Sequence, residues 1–313
     1  MRALGWILTG PSAMAVCVLL YLKLVPASQT WHELAVYVAT FIPFLWLPCL
    51  TVGIGLILLL VRRWKLVGVV VLVTVLVVWV LPFVRLAAPE DAGRTAPGIV
   101  VFSLNLQFGR ADVAQVAQHI DNGDADVVAF QEYTPDFETR LRDAGLLDRY
   151  PYRVGSARTD AGGTMLLSRT PLEIVGEADT IFHNFVATTT IDGVAWHIGA
   201  IHSTPPQFGA TPWAQGGTEV ARLAGRFSHE NLLLIGDFNA ITDHFPMRLL
   251  GSVGMHPSGE KWVPTWPVGR RIPSFAQIDH CLLSPSLQGR ETSHMAVTGS
   301  DHKGILVTVD VIG

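Results

Sequence analysis

The sequence predicts an N-terminal region of about three transmembrane α-helices followed by an α/β sandwich. Two observations carry this expectation. The first is a change of composition near residue 90. Residues 1–97 hold 7 Lys and Arg and 3 Asp and Glu, whereas 98–313 hold 15 and 23. Half of the 313 residues are hydrophobic and only 15% are charged, where average usage is about 25% charged, so the apolar excess sits in the first third. The second observation is a change of period. Long apolar runs without a polar face give way, from Gly98, to short β-rich runs and amphipathic helical spacing.

A transmembrane helix needs about 20 mostly apolar residues. Three segments of 1–84 qualify, at about 4–25, 34–61 and 66–84. Lys23 lies close enough to the end of the first to snorkel. The second is long, which implies tilt or a break near Pro43 or Pro48. Trp31, Trp64 and Trp79 fall near span ends, where interfacial aromatics concentrate. A signal peptide fits the first segment poorly, because its apolar stretch is too long and two more follow. Arg62-Arg63-Trp64-Lys65 is the strongest basic cluster here, and 27–33 has no Lys or Arg. The positive-inside rule then puts the N-terminus in the cytoplasm and the C-terminal part on the extracytoplasmic side. Residues 85–97 carry Pro, Gly, Ala and charges without apolar periodicity and read as a linker.

Residues 98–313 are long enough to bury a core of their own. Ile99–Leu106 and Asp126–Gln131 read as apolar strands. Between them, Val113, Val116, Ala117 and Ile120 share one face of a helix over Ala111–Asn122. Further strands are expected at Gly163–Ser168, Phe185–Ile191, Ala195–His202, Asn231–Gly236, Gln277–Leu283 and Lys303–Val311, with Val220–Phe227 in a helix. Many strands and few helices imply two packed sheets with helices outside. Ser203–Gly217, rich in Pro, Gly and Thr, reads as a mobile lip. The cysteines Cys17, Cys49 and Cys281 leave no disulfide framework or CxxC knuckle in this part.

Polar groups recur at the strand ends: Asn105 and Gln107, Gln131-Glu132, His202, Gly236-Asp237-Phe238-Asn239, Asp279-His280 and Ser300-Asp301-His302. Taken singly, each has a structural explanation, as a solvated edge, a turn or a helix cap. Their joint occurrence in this order resembles the endonuclease/exonuclease/phosphatase superfamily. The resemblance also takes in Gly163–Pro171 and spans about 99–311. It implies a four-layer sandwich of two mixed sheets flanked by helices, with the site at one rim.

By motif position, the resemblance makes Glu132 the principal metal ligand, with Asn105 beside it and Asp301 as a further ligand. Gln107 stands, uncharged, where some members place a second carboxylate. Asp279 would hold the second ring nitrogen of His302. Asp237 or His302 would serve as base, Asn239 would donate to a phosphate oxygen, and His202 would donate to the phosphate or the leaving group. A phosphodiester resists nucleophiles until its charge is neutralised, its water activated and its leaving oxygen assisted. Carboxylates and amides without a cysteine-rich site suit Mg²⁺ or Mn²⁺. His119, His183, His197, His229, His256 and His294 lie outside the matched positions and read as structural or surface residues.

The formal charge of 98–313 is −8 and its only adjacent basic pair is Arg270-Arg271. Nonspecific nucleic-acid binding rests on Lys and Arg, so the balance disfavours a nuclease. The tether points instead to a phosphodiester or phosphomonoester on a lipid-linked or glycolipid headgroup. A membrane-tethered nuclease is the alternative, and a non-catalytic phosphate-binding module the second.

Overall fold

The structure, a computed structural model, describes residues 2–60, 64–80, 98–259 and 262–312. The chain divides into two compact units, Met1–Glu90 and Asp91–Gly313.

In the first unit α1 spans Arg2–Leu24. The second expected span is broken into α2 (Glu33–Ala39), a 3-10 turn at Ile42–Phe44 and α3 (Trp46–Leu59). The break falls at Pro43. Pro48 sits in the first turn of α3, where its missing N–H has no intrahelical partner to lose. α1 and α3 approach closely at two glycines: a methyl group on Gly5 would lie 3.0 Å from the Gly55 carbonyl oxygen. Small residues permit such contact between apolar helices. α4 spans Lys65–Val80. Arg2–Leu24 and Ile42–Leu59 are long and apolar enough to cross a membrane. The last part of the third expected span, Arg62, Arg63 and the linker 85–97 lie outside the described residues.

The second unit begins with β1 (Gly98–Asn105), α5 (Val113–Gly123) and β2 (Val127–Gln131). Asp112 caps α5 by accepting from the Gln115 N–H at 2.9 Å, and Val116 and Ile120 are its buried face. Then come α6 (Pro135–Asp143), α7 (Leu146–Arg149), β3 (Tyr152–Ser156), β4 (Thr164–Ser168), β5 (Glu173–Glu177), β6 (Phe185–Ile191) and β7 (Val194–His202). The chain continues through α8 (Ala210–Phe227), β8 (Leu232–Asp237), α9 (Phe245–Ser252), β9 (His256–Pro257), β10 (Asp279–Leu283), β11 (Leu287–Ala296) and β12 (Lys303–Val311).

Two six-stranded sheets result, ordered β11-β12-β1-β2-β4-β3 and β5-β6-β7-β8-β10-β9. Each holds one parallel pair, β1 with β2 and β7 with β8. A helix crosses over between the strands of each pair, as parallel pairing requires. Between the sheets lie Ile99, Val101, Val127, Ala129, Trp196, Ile198, Ala200, Leu233, Ile235, Cys281 and Leu283. Phe102, Leu104, Val128 and Phe130 face the other way, against Val116, Ile120, Phe137 and Leu141 of α5 and α6. α8 lies on β7 and β8. This is the four-layer sandwich that the family resemblance implies.

The expected lip at Ser203–Gly217 is corrected. Ser203–Pro205 are buried, Gln207 and Phe208 are exposed, and α8 already starts at Ala210 with Ala210, Trp213, Ala214, Gly216 and Gly217 buried. Trp213 fixes it by donating from Nε1 to the Asn239 carbonyl at 3.1 Å.

Candidate active site

Side chains alternate along a strand, so the inward face of each strand fixes what its end presents. In β1 the inward series Ile99, Val101 continues to Ser103 and Asn105. In β2 it continues from Val127 and Ala129 to Gln131, and in β7 from Ile198 and Ala200 to His202. In β8 it runs from Leu233 and Ile235 to Asp237, and β10 carries Asp279 on the face of Cys281 and Leu283. Register places these ends on one rung: Asn105 pairs with Gln131, His202 with Asp237, and Asp237 with Asp279. The last inward rung of both sheets is therefore polar, at one rim of an apolar core.

Asp237 is its centre. Its Oδ2 accepts from Asn105 Nδ2 at 3.0 Å and from Asn239 Nδ2 at 3.3 Å, and its Oδ1 accepts from the Asn239 N–H at 2.8 Å. His202 Nε2 and His302 Nε2 each stand 3.8 Å from the same Oδ2. On the far side of His302, Nδ1 meets both oxygens of Asp279, at 3.1 and 3.0 Å.

Glu132 follows β2 with a left-handed backbone, φ 54°. Its Oε1 accepts from Asn105 Nδ2 at 3.2 Å and its Oε2 from the Phe108 N–H at 2.7 Å. Asn105 thus bridges Glu132 and Asp237, while its Oδ1 accepts from the Gln107 N–H at 2.9 Å. Gln107 and Asn239 share the left-handed backbone, at φ 47° each. Such conformations cost energy and concentrate at sites whose surroundings enforce them.

The electrostatics separate the two histidines. Burial pulls His202 down to about 4, with Asp237 only partly opposing, so the ring is neutral near pH 7. Burial also works against charge on His302, but Asp279 and Asp237, with Asp301 adding, push it up to about 10. Burial raises Asp237, and His302 pulls it back. Burial likewise raises Glu132, against the Phe108 N–H and Asn105. One imidazole beside Asp237 carries a proton on each nitrogen, and the other has a single N–H to place.

The structure brings Asn105, Glu132, His202, Asp237, Asn239, Asp279 and His302 into this chain of contacts. Asp301 stands at its edge, with Oδ1 3.9 Å from His302 Nε2 and Oδ2 3.4 Å from Arg270 Nη2. Both amide hydrogens of Asn239 are engaged, one at 3.3 Å on Asp237 and one at 2.9 Å on the Ser203 carbonyl. His280 points away from the site: its Nε2 meets the Ala240 carbonyl at 2.9 Å and its ring packs edge-on against Phe238.

Among the described residues, Asp237, Asp279 and His302 present donor atoms within 4.8 Å of one another, tight enough to hold an ion. His302 Nδ1 already occupies Asp279 there, so an ion in that triangle displaces a charge-assisted hydrogen bond. The Glu132 side fits a hard cation better. Its carboxylate is raised by burial, meets only neutral donors, and lies one amide away from Asp237.

Asn184 and Thr265 carry no strand-end signature, and sequence reasoning passes over them. Asn184 is fully buried. Its Oδ1 accepts from the His202 N–H at 2.7 Å and its Nδ2 donates to the His202 carbonyl at 3.0 Å. The Thr265 hydroxyl oxygen accepts from the Ile278 and Asp279 N–H groups, at 3.1 and 3.2 Å. For Asn184 the only available signal is an isolated polar residue before an apolar strand, which turns share. Asn184→Ala strands both backbone groups of His202. It is expected to cost about 2–4 kcal/mol, or roughly 6–12 °C in melting temperature of the catalytic unit. It also lowers kcat about tenfold, because His202 loses its placement. Unchanged melting and kcat would dismiss the clamp.

The profile of the Endonuclease/Exonuclease/phosphatase family matches residues 102–302. Among curated proteins, none matches the chain. Solved structures share the fold at low identity. An endonuclease/exonuclease/phosphatase family protein of Bacteroides thetaiotaomicron is 17% identical, with 70% of this chain and 100% of that one covered and a TM-score of 0.55. The mannosyl-6-phosphatase Bt3783 of B. thetaiotaomicron VPI-5482 is 19% identical over 69% and 100%, with a TM-score of 0.51. D. rerio TDP2 complexed with single strand DNA product is 15% identical over 68% and 99%, with a TM-score of 0.51. Every residue of the polar rung falls within the matched stretch, and the chain belongs to the endonuclease/exonuclease/phosphatase family of phosphate-ester hydrolases.

Proposed function

We propose that the protein is a membrane-anchored, Mg²⁺- or Mn²⁺-dependent hydrolase acting at the extracytoplasmic membrane face. Its substrate is a phosphate ester, diester or monoester, on a lipid-linked or glycolipid headgroup. The observation that carries the chemistry is the polar rung around Asp237, with a cationic His302 and a neutral His202 on either side of one carboxylate oxygen. Membrane anchoring is supported by α1 and α3, where Leu4, Trp6, Ile7, Leu47 and Leu56 stay exposed. An apolar surface of that extent is unstable in water. Residues 81–97 can extend no more than about 60 Å, so the catalytic unit stays near the bilayer.

In this reading Glu132 holds the cation, with Asn105 and Asp301 beside it. When bound, the ion neutralises phosphate charge and favours the developing oxyanion. Asp237 receives the proton of the attacking water or aligns that water. His302 donates from Nε2 to a phosphate oxygen, its ring held by Asp279. His202 donates its single N–H to the leaving oxygen. Asn239 keeps Asp237 in place through its N–H, and reaches a phosphate oxygen by giving up the weaker 3.3 Å contact.

A nuclease is the second reading, favoured by the fold shared with TDP2 and its single strand DNA product. The charge of −8 on 98–313 opposes it. For the metal, EDTA is expected to abolish hydrolysis of a membrane lipid extract by the full-length protein, and Mg²⁺ or Mn²⁺ to restore it. Full activity in EDTA would refute the cation. For the topology, a C-terminal reporter that works only in the cytoplasm is expected to stay silent, and a signal from it would overturn the orientation.

A further inference from the structure

Among the described residues of the catalytic unit, the exposed large apolar side chains are not scattered. Phe108, Ile181, Phe208 and Ile272 are 50%, 49%, 51% and 54% exposed, and the others are Tyr152 and Ile312. These four come from four separate loops, and every loop leaves the fold at the rim that bears the site. Phe108 lies three residues past Asn105, and its own N–H holds Glu132. Ile181 precedes Phe182, whose ring packs at a tilt against His202 with centroids 4.5 Å apart. Phe208 meets Phe182 edge-on at 5.7 Å, in the turn that follows β7. Ile272 follows Arg270, which reaches Asp301.

A soluble unit tolerates single exposed apolar residues anywhere. Convergence of four on the mouth of one site, against Tyr152 and Ile312 at the opposite end, marks a contact surface. Arg110 lies over the Phe108 ring at 5.8 Å, and Arg270-Arg271 directly precede Ile272. Apolar tips with basic neighbours suit the boundary between acyl chains and headgroups.

We infer that this rim is a lipid-contacting face: Phe108, Ile181, Phe208 and Ile272 enter the interfacial layer of a bilayer and bring the polar rung to headgroup level. The occupant is the lipid surface itself, because the same chain carries helices fit to cross a membrane and a tether too short to leave it. The inference rests on the proposed membrane-face reading, and names the surface through which it works. It explains how a buried rung at the bottom of a rim reaches an ester that cannot leave the bilayer.

The test uses the full-length protein reconstituted in phosphatidylcholine vesicles. Photoreactive benzoyl-phenylalanine replaces Phe208, Ile272 or, as a control, Tyr152. Tyr152 pairs with Ser168 and Ser168 with Val127, which puts it at the opposite end of the sheet from Gln131. Mass spectrometry after illumination is expected to find phospholipid adducts at 208 and 272 at least tenfold above those at 152. Adducts at 208 and 272 no more frequent than at 152 would overturn the lipid-contacting face. The substrate reading is scored separately, by hydrolysis of lipid phosphate esters in the same vesicles. Adducts without hydrolysis uphold the face and count against the substrate, whereas hydrolysis without adducts does the reverse.

Discussion

Glu132→Ala is expected to lower kcat/KM for phosphate-ester hydrolysis by on the order of 10³-fold or more. Its two oxygens are occupied by neutral donors, Asn105 Nδ2 and the Phe108 N–H. Burial raises its pKa, and Asp237 adds to that rise. Among charged groups only His302 opposes that rise, and a divalent cation would complete the positive complement. A consequence of opposite sign follows for stability. Without metal, Glu132→Gln removes an unfavourable buried charge and is expected to stabilise the catalytic unit by about 1 kcal/mol. Mg²⁺ should then raise the melting temperature of the wild type and leave the variant unmoved, since only a group that binds the ion gains from it. Equal Mg²⁺-induced shifts in both proteins would remove Glu132 from the cation site.

The second large effect is expected from Asp279→Asn, which lowers kcat by on the order of 10²-fold or more and leaves KM within a few-fold. The amide keeps an acceptor for the His302 Nδ1–H but withdraws the charge behind it. Asp279 is the leading group that overcomes burial and takes His302 up to about 10. In metal-free protein, an NMR titration should therefore find the His302 pKa lowered in the variant. Stability follows the same linkage. The folded pKa lies above the unfolded value of about 6.5. The stabilisation is then complete below pH 6.5 and is lost as pH climbs through 10. The stability gap between wild type and Asp279→Asn should narrow across that window. A gap constant from pH 6.5 to 10 would show that no charge is shared between the two side chains.

The strands that bear the site were the most legible in sequence, for a physical reason. Phe185–Ile191 and Lys303–Val311 emerge with the expected limits because both faces, or one clear alternating face, are apolar. The same alternation carries Asn105, His202, Asp237 and Asp279 inward, which is why polar residues at those ends signalled a site. The edge elements gave no such pattern. β3 and β5 are short and half exposed, each with a glycine. β11 is polar and bulged between Gly289 and Glu291. α6 offers only Phe137 and Leu141 to the core and depends on its Thr134 cap, which accepts from the Phe137 N–H at 3.2 Å. The first half of α8 reads as part of a lip because Ser203–Gly217 is rich in Pro, Gly and Thr, and its last two residues are Gly216 and Gly217. They are small because Thr204 and Pro246 pack against them. Asn184 escaped for a different reason: its role is a contact with the backbone of His202, eighteen residues away, and no local pattern encodes it.

The most direct measurement compares wild type with Glu132→Ala in full-length protein incubated with membrane lipid extract and Mg²⁺, in parallel with DNA and RNA. Mass spectrometry of lipids and released headgroups should show a phosphate ester cleaved by the wild type and left intact by the variant, with nucleic acids little changed. Rapid degradation of DNA or RNA with unchanged lipids would contradict the account.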